Sequence, residues 1–256
     1  MSGSDFLLQE RQARIAEKLA ASGKVLAGEL AVEFSVSEDT IRRDLREMAA
    51  AGLCRRVYGG ALAIPPTAPF AERAADQPER KRALALAAAR FIAPGMLVFL
   101  DASSANLAIA REILGIPGVT VVTNAPTIAS VLMEGVDVIL IGGSIDRRVG
   151  GALGSRALAD AERLRPDLCL LGACGVDVEA GITAFHLEDA EFKRTIARRS
   201  RSVMTTAMNE KLGTAAPHDV IALSECGRLV VEADADEAII ETIAALGVDI
   251  IKAGKA

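Results

Sequence analysis

The chain has 256 residues, of which 51% are hydrophobic, and this content is ample for one or two domains with a sizeable core. Its net charge of -5 argues against a protein that coats nucleic acid without specificity. The first ten residues lack the basic start and apolar run of an export signal, and the one long apolar window, 83–100, is interrupted by Arg90 and Pro94. We therefore expect a cytoplasmic protein that does not enter a membrane.

The cysteines and histidines give no sign of a metal site. The four cysteines form no close Cys-x-x-Cys pair, which indicates free buried thiols rather than disulfides. The only histidines, His186 and His218, have no cysteine partners at the spacing of a zinc site. We expect neither a bound metal nor a cofactor.

The first 34 residues predict two helices. Residues 6–21 place Leu8, Ile15 and Leu19 among charged side chains, which is typical of an amphipathic helix. A second, shorter helix is predicted over 26–34. Only Ser35 and Val36 separate it from the next helix, a link as short as a helix-turn-helix requires.

The third predicted helix has a clear start and a clear buried face. Ser37 can cap it with its hydroxyl, and Glu38 and Asp39 put negative charge in the first turn, where it suits the helix dipole. The helix is therefore predicted to begin near Glu38. Its buried stripe, at three- and four-residue spacing, consists of Ile41, Leu45 and Met48.

The opposite face of this helix and the segment after it carry positive charge. Gly52 is predicted to end the helix, and 53–57, 58–60 and 61–64 are predicted to form a hairpin, or wing. Between Arg42 and Arg56 the arginines outnumber the acids by three, so this stretch is predicted to contact DNA. The candidate DNA-binding residues are Ser37, Glu38, Thr40, Arg42, Arg43, Arg46, Arg55 and Arg56.

Three motifs in this region resemble one family. They are Arg11, Ile15 and Leu19 at four-residue spacing, Ser-Glu-Asp-Thr-Ile-Arg-Arg-Asp-Leu over 37–45, and Gly-Leu-Cys-Arg-Arg-Val-Tyr-Gly-Gly over 52–60. Together they resemble the DeoR family of bacterial transcriptional regulators, although many members have a histidine in place of the tyrosine. The resemblance implies double-stranded operator DNA as a partner. Because one winged domain contacts few bases, we expect a homo-oligomer, a dimer or a tetramer.

Prolines concentrate after the wing and predict a linker. Pro65, Pro66, Pro69 and Pro78 remove amide donors and disfavour helix. The sequence thus predicts a winged helix-turn-helix domain over 1–64, a linker over 65–79 and a larger domain over 80–256.

Helices and strands alternate in the larger domain, which indicates an α/β fold with a mostly parallel sheet. The fold class predicted for the whole chain is therefore α/β, with a small N-terminal winged helix-turn-helix domain joined to this larger domain. Helices are predicted at 80–92, 105–114, 126–133, 188–199 and 236–246, and strands at 96–101, 119–123, 136–141, 168–171, 202–205, 220–223 and 248–251.

Polar residues and glycines follow the predicted strands. In open parallel sheets ligands bind beyond the carboxyl ends of the strands, so these positions are the candidate effector site. Asp101, Ser103 and Ser104 follow the first strand and open a helix, which offers hydroxyls and free amides to an anion. The other candidates are Thr123, Asn124, Gly142, Gly143, Gly175, Asp177, Glu188 and Lys211.

These positions also resemble the sensing domain of the DeoR family, which is similar in fold to ribose-5-phosphate isomerase. The resemblance implies a phosphorylated sugar as effector. Asp101 would hold sugar hydroxyls, Ser103 and Ser104 would hold phosphate, and Lys211 would supply positive charge. Many members have Gly-Thr-Thr where this chain has Ser-Ser-Ala over 103–105.

Three functions follow from this sequence. The first is a regulator, not an enzyme, that represses carbohydrate-metabolism genes and is released by a phosphorylated sugar; an activator role is also open. The second is a sugar-phosphate isomerase fused to a DNA-binding domain, with Asp101, Asp177, Glu188 and Lys211 as acid and base groups. The third is a constitutive DNA-binding protein whose large domain only oligomerises.

Overall fold

The computed structural model describes residues 3–50, 53–63 and 69–254, which form two compact units. One unit combines the described residues up to 63 with Thr214–Pro217, and the other contains the rest. Among the described helices, none has both the length and the apolar composition that a membrane crossing requires.

The first unit contains the three predicted helices and the predicted hairpin. It also contains a strand that the sequence did not predict, because three residues are too few to show an alternating pattern. This strand pairs with the second strand of the hairpin, Lys24 opposite Leu62, and completes an antiparallel three-stranded sheet. The elements are α1 (Gly3–Ser22), β1 (Lys24–Leu26), α2 (Ala27–Glu33), α3 (Glu38–Ala50), β2 (Cys54–Val57) and β3 (Gly60–Ala63).

The predicted apolar stripe of α3 forms the core of this unit together with α1. An ion pair fastens the two helices at the edge of that core. Arg11 Nε donates to Asp44 Oδ2 at 2.5 Å, and Asp44 is only 1% exposed. Asp44 therefore faces inward, and the other polar side of α3 is left to solvent. The large apolar side chains that α1 and α3 bury in this core are Ile15, Leu19, Ile41, Leu45 and Met48.

The second unit begins with two helices and the first half of a parallel sheet. The elements are α4 (Phe70–Ala75), α5 (Pro78–Ala89), β4 (Leu97–Leu100), α6 (Ser104–Glu112), β5 (Thr120–Thr123), α7 (Pro126–Leu132), β6 (Asp137–Leu140), β7 (Ser144–Asp146), β8 (Gly151–Leu153) and α8 (Ser155–Ala161). The second half follows with β9 (Leu168–Gly172), β10 (Gly175–Asp177), β11 (Gly181–Ala184), α9 (Leu187–Arg199), β12 (Val203–Ala207), β13 (His218–Ile221), β14 (Arg228–Val231), α10 (Glu237–Ala244) and β15 (Asp249–Lys252).

Seven of these strands form one parallel sheet in the order β15-β14-β12-β9-β4-β5-β6. The predicted parallel α/β fold is thus confirmed. The two strands at the centre of the sheet, β9 and β4, are apolar runs that are buried at nearly every position, as expected for a covered parallel sheet. Phe99 on β4, for example, is fully buried and packs against Phe192 of α9 at a ring-centroid distance of 5.9 Å.

Parts of the prediction for this unit were wrong. The strand near 220 does not join the parallel sheet but pairs antiparallel with β11 in a separate sheet of β10, β11 and β13. Four more strands, β7, β8, β10 and β11, were missed because they are short and each contains glycine or polar residues instead of a continuous apolar run. Strand β14 was also missed, although it lies inside the main sheet between β12 and β15.

The segment predicted as a linker is partly helical. Helix α4 lies wholly within 65–79, and α5 begins there, whereas 64–68 fall outside the described residues. Pro69 occupies the N-cap of α4, and Pro78 lies in the first turn of α5. A helix start is the position where a missing amide donor costs nothing, so these prolines begin helices instead of preventing them.

The four cysteines are free thiols, and three of them are buried as predicted. Cys54, Cys169 and Cys226 are buried, and Cys174 is half-buried. Burial raises the pKa of Cys226 to about 11, which keeps this thiol protonated and unreactive near neutral pH.

Candidate DNA-binding and effector sites

Helix α3 begins where the sequence predicts and presents its arginines to solvent. The Ser37 hydroxyl accepts a hydrogen bond from the Thr40 amide at 3.2 Å, which caps the helix. The side chain of Arg42 is 52% exposed and that of Arg43 is 75% exposed. Arg46 and Glu38 are also exposed, so the predicted residues of α3 do share one open face.

Two of the exposed arginines are paired with carboxylates of their own helix. Arg42 donates to Glu38 at 2.6 Å, and Arg43 donates to Glu47 at 3.2 Å. Such exposed pairs contribute little to stability. A DNA phosphate or base edge can therefore replace the carboxylate at a small cost in free energy. In the absence of DNA, the pairs hold the guanidinium groups near the helix surface.

The wing lies beside this face. A cavity of about 330 Å³ between α3 and the hairpin is lined by Arg42, Arg56 and Tyr58. Tyr58 is fully exposed at the tip of the hairpin and was not among the predicted DNA contacts. Its position in a two-residue turn between the hairpin strands was the sequence feature that indicated this exposure. Arg55 lies on β2, and its side chain is outside the described residues.

In the second unit, Asp101 follows β4 as predicted but is only 1% exposed. Its Oδ1 accepts from Asn106 Nδ2 at 2.7 Å, and its Oδ2 accepts from the Gly172 amide at 2.8 Å. Lys193 Nζ lies 3.4 Å from the same Oδ2. With both oxygens engaged, this arrangement favours a positioning role for Asp101 over direct contact with a sugar.

Lys193 is the centre of a buried charge network that the sequence did not predict. It donates to Asp189 at 2.8 Å and lies beside Asp101. Burial by itself would lower the pKa of Lys193, but these two carboxylates raise it above its ordinary value. Burial raises the pKa of Asp101, and the positive charge of Lys193 opposes this rise. The network ties α9 to the end of β4.

Gly172 allows the ends of β4 and β9 to lie close together. A Cβ atom at this position would lie 2.3 Å from Ser103 Cβ and 2.9 Å from Asp101 Oδ1. Any other residue would therefore push these two strand ends apart.

Ser103 and Ser104 open α6 as predicted, with different roles. The Ser103 hydroxyl accepts from the Asn106 amide at 3.1 Å, so it caps the helix. Ser104 is the first helical residue and is half-buried. The free amides at the start of α6 and the Ser104 hydroxyl are the groups best placed for an anion.

Thr123 and Asn124 follow β5. The Thr123 hydroxyl accepts from the Ala125 amide at 3.1 Å, so it shapes the turn. Asn124 is 1% exposed, and its Nδ2 donates to the Ala152 carbonyl at 3.0 Å. Among the described residues, nothing donates a hydrogen bond to its Oδ1. A buried acceptor without a donor costs free energy, so a ligand hydroxyl or a water is expected there.

Lys211 lies at the carboxyl end of the same sheet. Its Nζ donates to the carbonyl of Ala173, the residue that follows β9, at 2.7 Å. Burial lowers the pKa of Lys211, and the nearby cations Lys193, Arg73 and Lys81 lower it further. Lys211 therefore places an amino group at the carboxyl end of the sheet, on the side where ligands of such sheets bind.

The remaining candidates have local roles. Gly142 and Gly143 are exposed in the loop before β7, and Glu188 is exposed in the first turn of α9. Gly175 and Asp177 lie on β10, not in a loop after the fourth strand. Asp177 Oδ1 accepts from the amides of the two residues that turn towards β11, at 2.9 Å each.

A winged helix-turn-helix with exposed arginines, together with a parallel α/β unit that gathers polar and cationic groups at its ligand edge, defines a DNA-binding regulator with a sensor domain. Residues 11–67 match the DeoR-like helix-turn-helix domain, and residues 76–233 match the DeoR C terminal sensor domain. The chain belongs to the DeoR family.

Two relatives that match by sequence agree with this assignment. The chain is 35% identical over 209 residues to the glycerol-3-phosphate regulon repressor of Escherichia coli strain K12, covering 80% of this chain and 82% of the relative. It is 31% identical over 250 residues to the HTH-type transcriptional regulator GlpR of Haloferax volcanii, covering 96% and 98%. A solved ribose-5-phosphate isomerase in complex with phospho-erythronic acid has a TM-score of 0.40 and 14% identity, with 52% of this chain and 53% of the isomerase covered.

Proposed function

We propose that this chain is a transcriptional repressor that binds operator DNA as a homo-oligomer in the cytoplasm and is released by a phosphorylated sugar or polyol. The domain limits that we propose stay close to 1–64 and 80–256, with α4 between them. For DNA binding, the support is the exposed arginine face of α3 beside the wing, Arg42 and Arg43 above all.

The observation that carries the effector class is the combination of groups at the carboxyl end of the sheet. Lys211 and the free amides at the start of α6 suit a phosphate. The Oδ1 of Asn124 is an acceptor and suits a hydroxyl donor. A small phosphorylated polyol carries both groups, and glycerol 3-phosphate is the first compound to test because a relative is named for it.

The mechanism that we propose is linkage between the two sites. An effector that prefers the conformation or assembly with low operator affinity weakens DNA binding, and DNA weakens effector binding by the same factor. The carboxylates of Asp101 and Asp177 are engaged in internal hydrogen bonds, which favours binding over proton transfer. Turnover of pentose or hexose phosphates at ordinary enzyme rates would instead favour an enzyme over a regulator.

The first test is operator binding by fluorescence anisotropy, with DNA from the region upstream of the protein's own gene. We expect glycerol 3-phosphate, or another compound in a panel of sugar phosphates, to weaken binding at least about tenfold, which is a coupling of roughly 1.4 kcal/mol. Lys211→Met should lose this response, because it removes the cation without shortening the side chain much. The exposed Arg111→Gln on α6 is the matched control and should keep it.

The operator affinity of each variant is measured first. The effector titration of that variant is then run at a DNA concentration matched to this affinity, so that the responses can be compared. Tight operator binding that no compound in the panel weakens would contradict the sensor and favour a constitutive DNA-binding protein. A response of Lys211→Met equal to that of the control would remove Lys211 from the effector site.

A further inference from the structure

Helix α4 occupies a special place in the chain. It covers Phe70–Ala75, between the segment that matches the helix-turn-helix domain, 11–67, and the one that matches the sensor domain, 76–233. The direct covalent connection between these two matched segments therefore runs through α4.

Phe70, the first residue of α4, packs on the turn that joins β7 to β8. Its side chain is 5% exposed. A Cβ atom on Gly150 would lie 2.5 Å from ring atoms of Phe70, so the ring rests directly on the backbone of this turn. Gly150 has a φ of +85°, a conformation that also favours glycine.

Arg73, one turn further along α4, holds the same turn by hydrogen bonds. Its Nη2 donates to the carbonyl of Arg148 at 2.7 Å and to that of Val149 at 3.0 Å. Its guanidinium also lies 5.6 Å from the centre of the Phe70 ring, within the range of a cation–π contact. Phe70 and Arg73 thus act on the turn together.

Lys81 fixes the other end of α4. Its Nζ, on the buried face of α5, donates to the carbonyl of Arg73 at 2.5 Å and also to that of Asp76. Because both carbonyls lie at the end of α4, where the helix itself leaves them unpaired, Lys81 replaces the missing donors. Helix α4 is therefore fastened to the sensor domain at both ends.

The far side of the turn covers Asn124. A Cβ atom on Gly151 would lie 2.6 Å from Ala102 Cβ and 2.8 Å from Asn124 Nδ2. The backbone of Ala152 exchanges two hydrogen bonds with Asn124, at 2.7 and 3.0 Å. The Oδ1 of the same side chain is itself fully buried. A ligand can therefore reach that oxygen only after a local opening, and the backbone of Gly151 and Ala152 is an element that packs on the Asn124 side chain.

We propose that α4 and the turn at 146–151 form a clasp, in which Phe70 and Arg73 are positioning residues that hold the turn closed over Asn124. Entry of the effector opens the turn, which breaks the contacts of Phe70 and Arg73 and releases α4. The clasp thereby couples effector binding to the chain segment that leads to the DNA-binding domain; this coupling rests on the proposed function.

The clasp itself is testable without a ligand, by hydrogen–deuterium exchange in the full-length protein. Arg73→Gln and Phe70→Ala should each raise the exchange rates of the Val149, Gly150 and Ala152 amides at least about tenfold, because local opening becomes easier. Exchange in the central strand Leu97–Leu100 should not change. Arg111→Gln and the exposed Leu86→Ala are the matched controls. Unchanged exchange at the three amides in both variants would overturn the clasp.

Coupling is then tested with glycerol 3-phosphate and operator DNA. If opening costs free energy in the wild type, both variants should reach half-release at an effector concentration about five- to tenfold lower, and Phe70→Leu should restore the wild-type value. Faster exchange with unchanged half-release would overturn the coupling. If no sugar phosphate releases the wild type, the proposed effector fails, and the exchange experiment alone decides whether the clasp exists.

Discussion

At the scale of single residues, burial decides what a polar side chain does. Asp101 was expected to hold sugar hydroxyls because it ends an apolar strand. In the structure, an amide from β9 and the side chains of Asn106 and Lys193 use its oxygens, so it fixes the frame of the site. Lys211 and Asn124 remain the side chains whose surroundings favour ligand contact.

Arg43 is the residue whose role in DNA recognition is simplest to test. Its side chain is more exposed than that of Arg42 and has one carboxylate partner, Glu47. Arg43→Ala should weaken operator binding by about 1–3 kcal/mol and relax specificity at one base pair if the arginine reads a base. Anisotropy titrations on the operator and on single-base variants measure both effects. Unchanged affinity, with Arg111→Ala as the control, would place Arg43 outside the interface.

At the scale of elements, the two helices that supply the candidate sites begin in the same way. Ser37 caps α3 through the Thr40 amide, and Ser103 caps α6 through the Asn106 amide, at 3.2 and 3.1 Å. The first cap was predicted from the serine followed by acidic residues. The second was not, because Ser103 was assigned to phosphate binding and the helix was expected to start at 105.

Removing each cap should separate the two functions. Ser37→Ala and Ser103→Ala should each lower the free energy of unfolding by about 1 kcal/mol, the usual cost of a lost N-cap. We expect Ser37→Ala to weaken operator binding, and Ser103→Ala to weaken the effector response instead. Urea unfolding followed by circular dichroism, together with operator anisotropy, gives both readouts. An equal loss of operator affinity in the two variants would contradict this separation.

At the scale of the whole molecule, the protein and the operator DNA that we propose as its partner both carry net negative charge. The chain has a net charge of -5, yet the stretch from Arg42 to Arg56 carries an excess of positive charge. DNA binding is therefore confined to one small surface per chain, and a single winged domain contacts few bases. Two chains on two half-sites multiply both the contacts and the specificity.

We accordingly expect two chains, or a multiple of two, on each operator. Sedimentation of the protein–DNA complex should give this stoichiometry, and deleting one half-site should reduce the affinity sharply. Operator affinity should also fall steeply with salt, with a log–log slope of about -0.9 for each phosphate contacted. One chain per operator, with a shallow salt dependence, would contradict the oligomeric repressor.

The sequence by itself determined the elements whose signals are local. A serine cap and a three-four spacing of apolar residues specify α3 within one stretch of chain, and apolar runs between helices specify β4, β5 and β9. The class of protein followed from these elements, because the helix-turn-helix and the strand-helix alternation are both local patterns.

Tertiary structure alone decided which of these residues meet. The bond from the Gly172 amide to Asp101 joins residues 71 positions apart, and the contact of Phe70 with Gly150 joins residues farther apart still. Strand pairing and burial between such distant segments depend on the packing of the whole sheet, which no short pattern encodes. For that reason the sequence predicted residues for an effector site, whereas the engaged oxygens of Asp101, the buried Lys193 and the contacts of α4 became visible only in the fold.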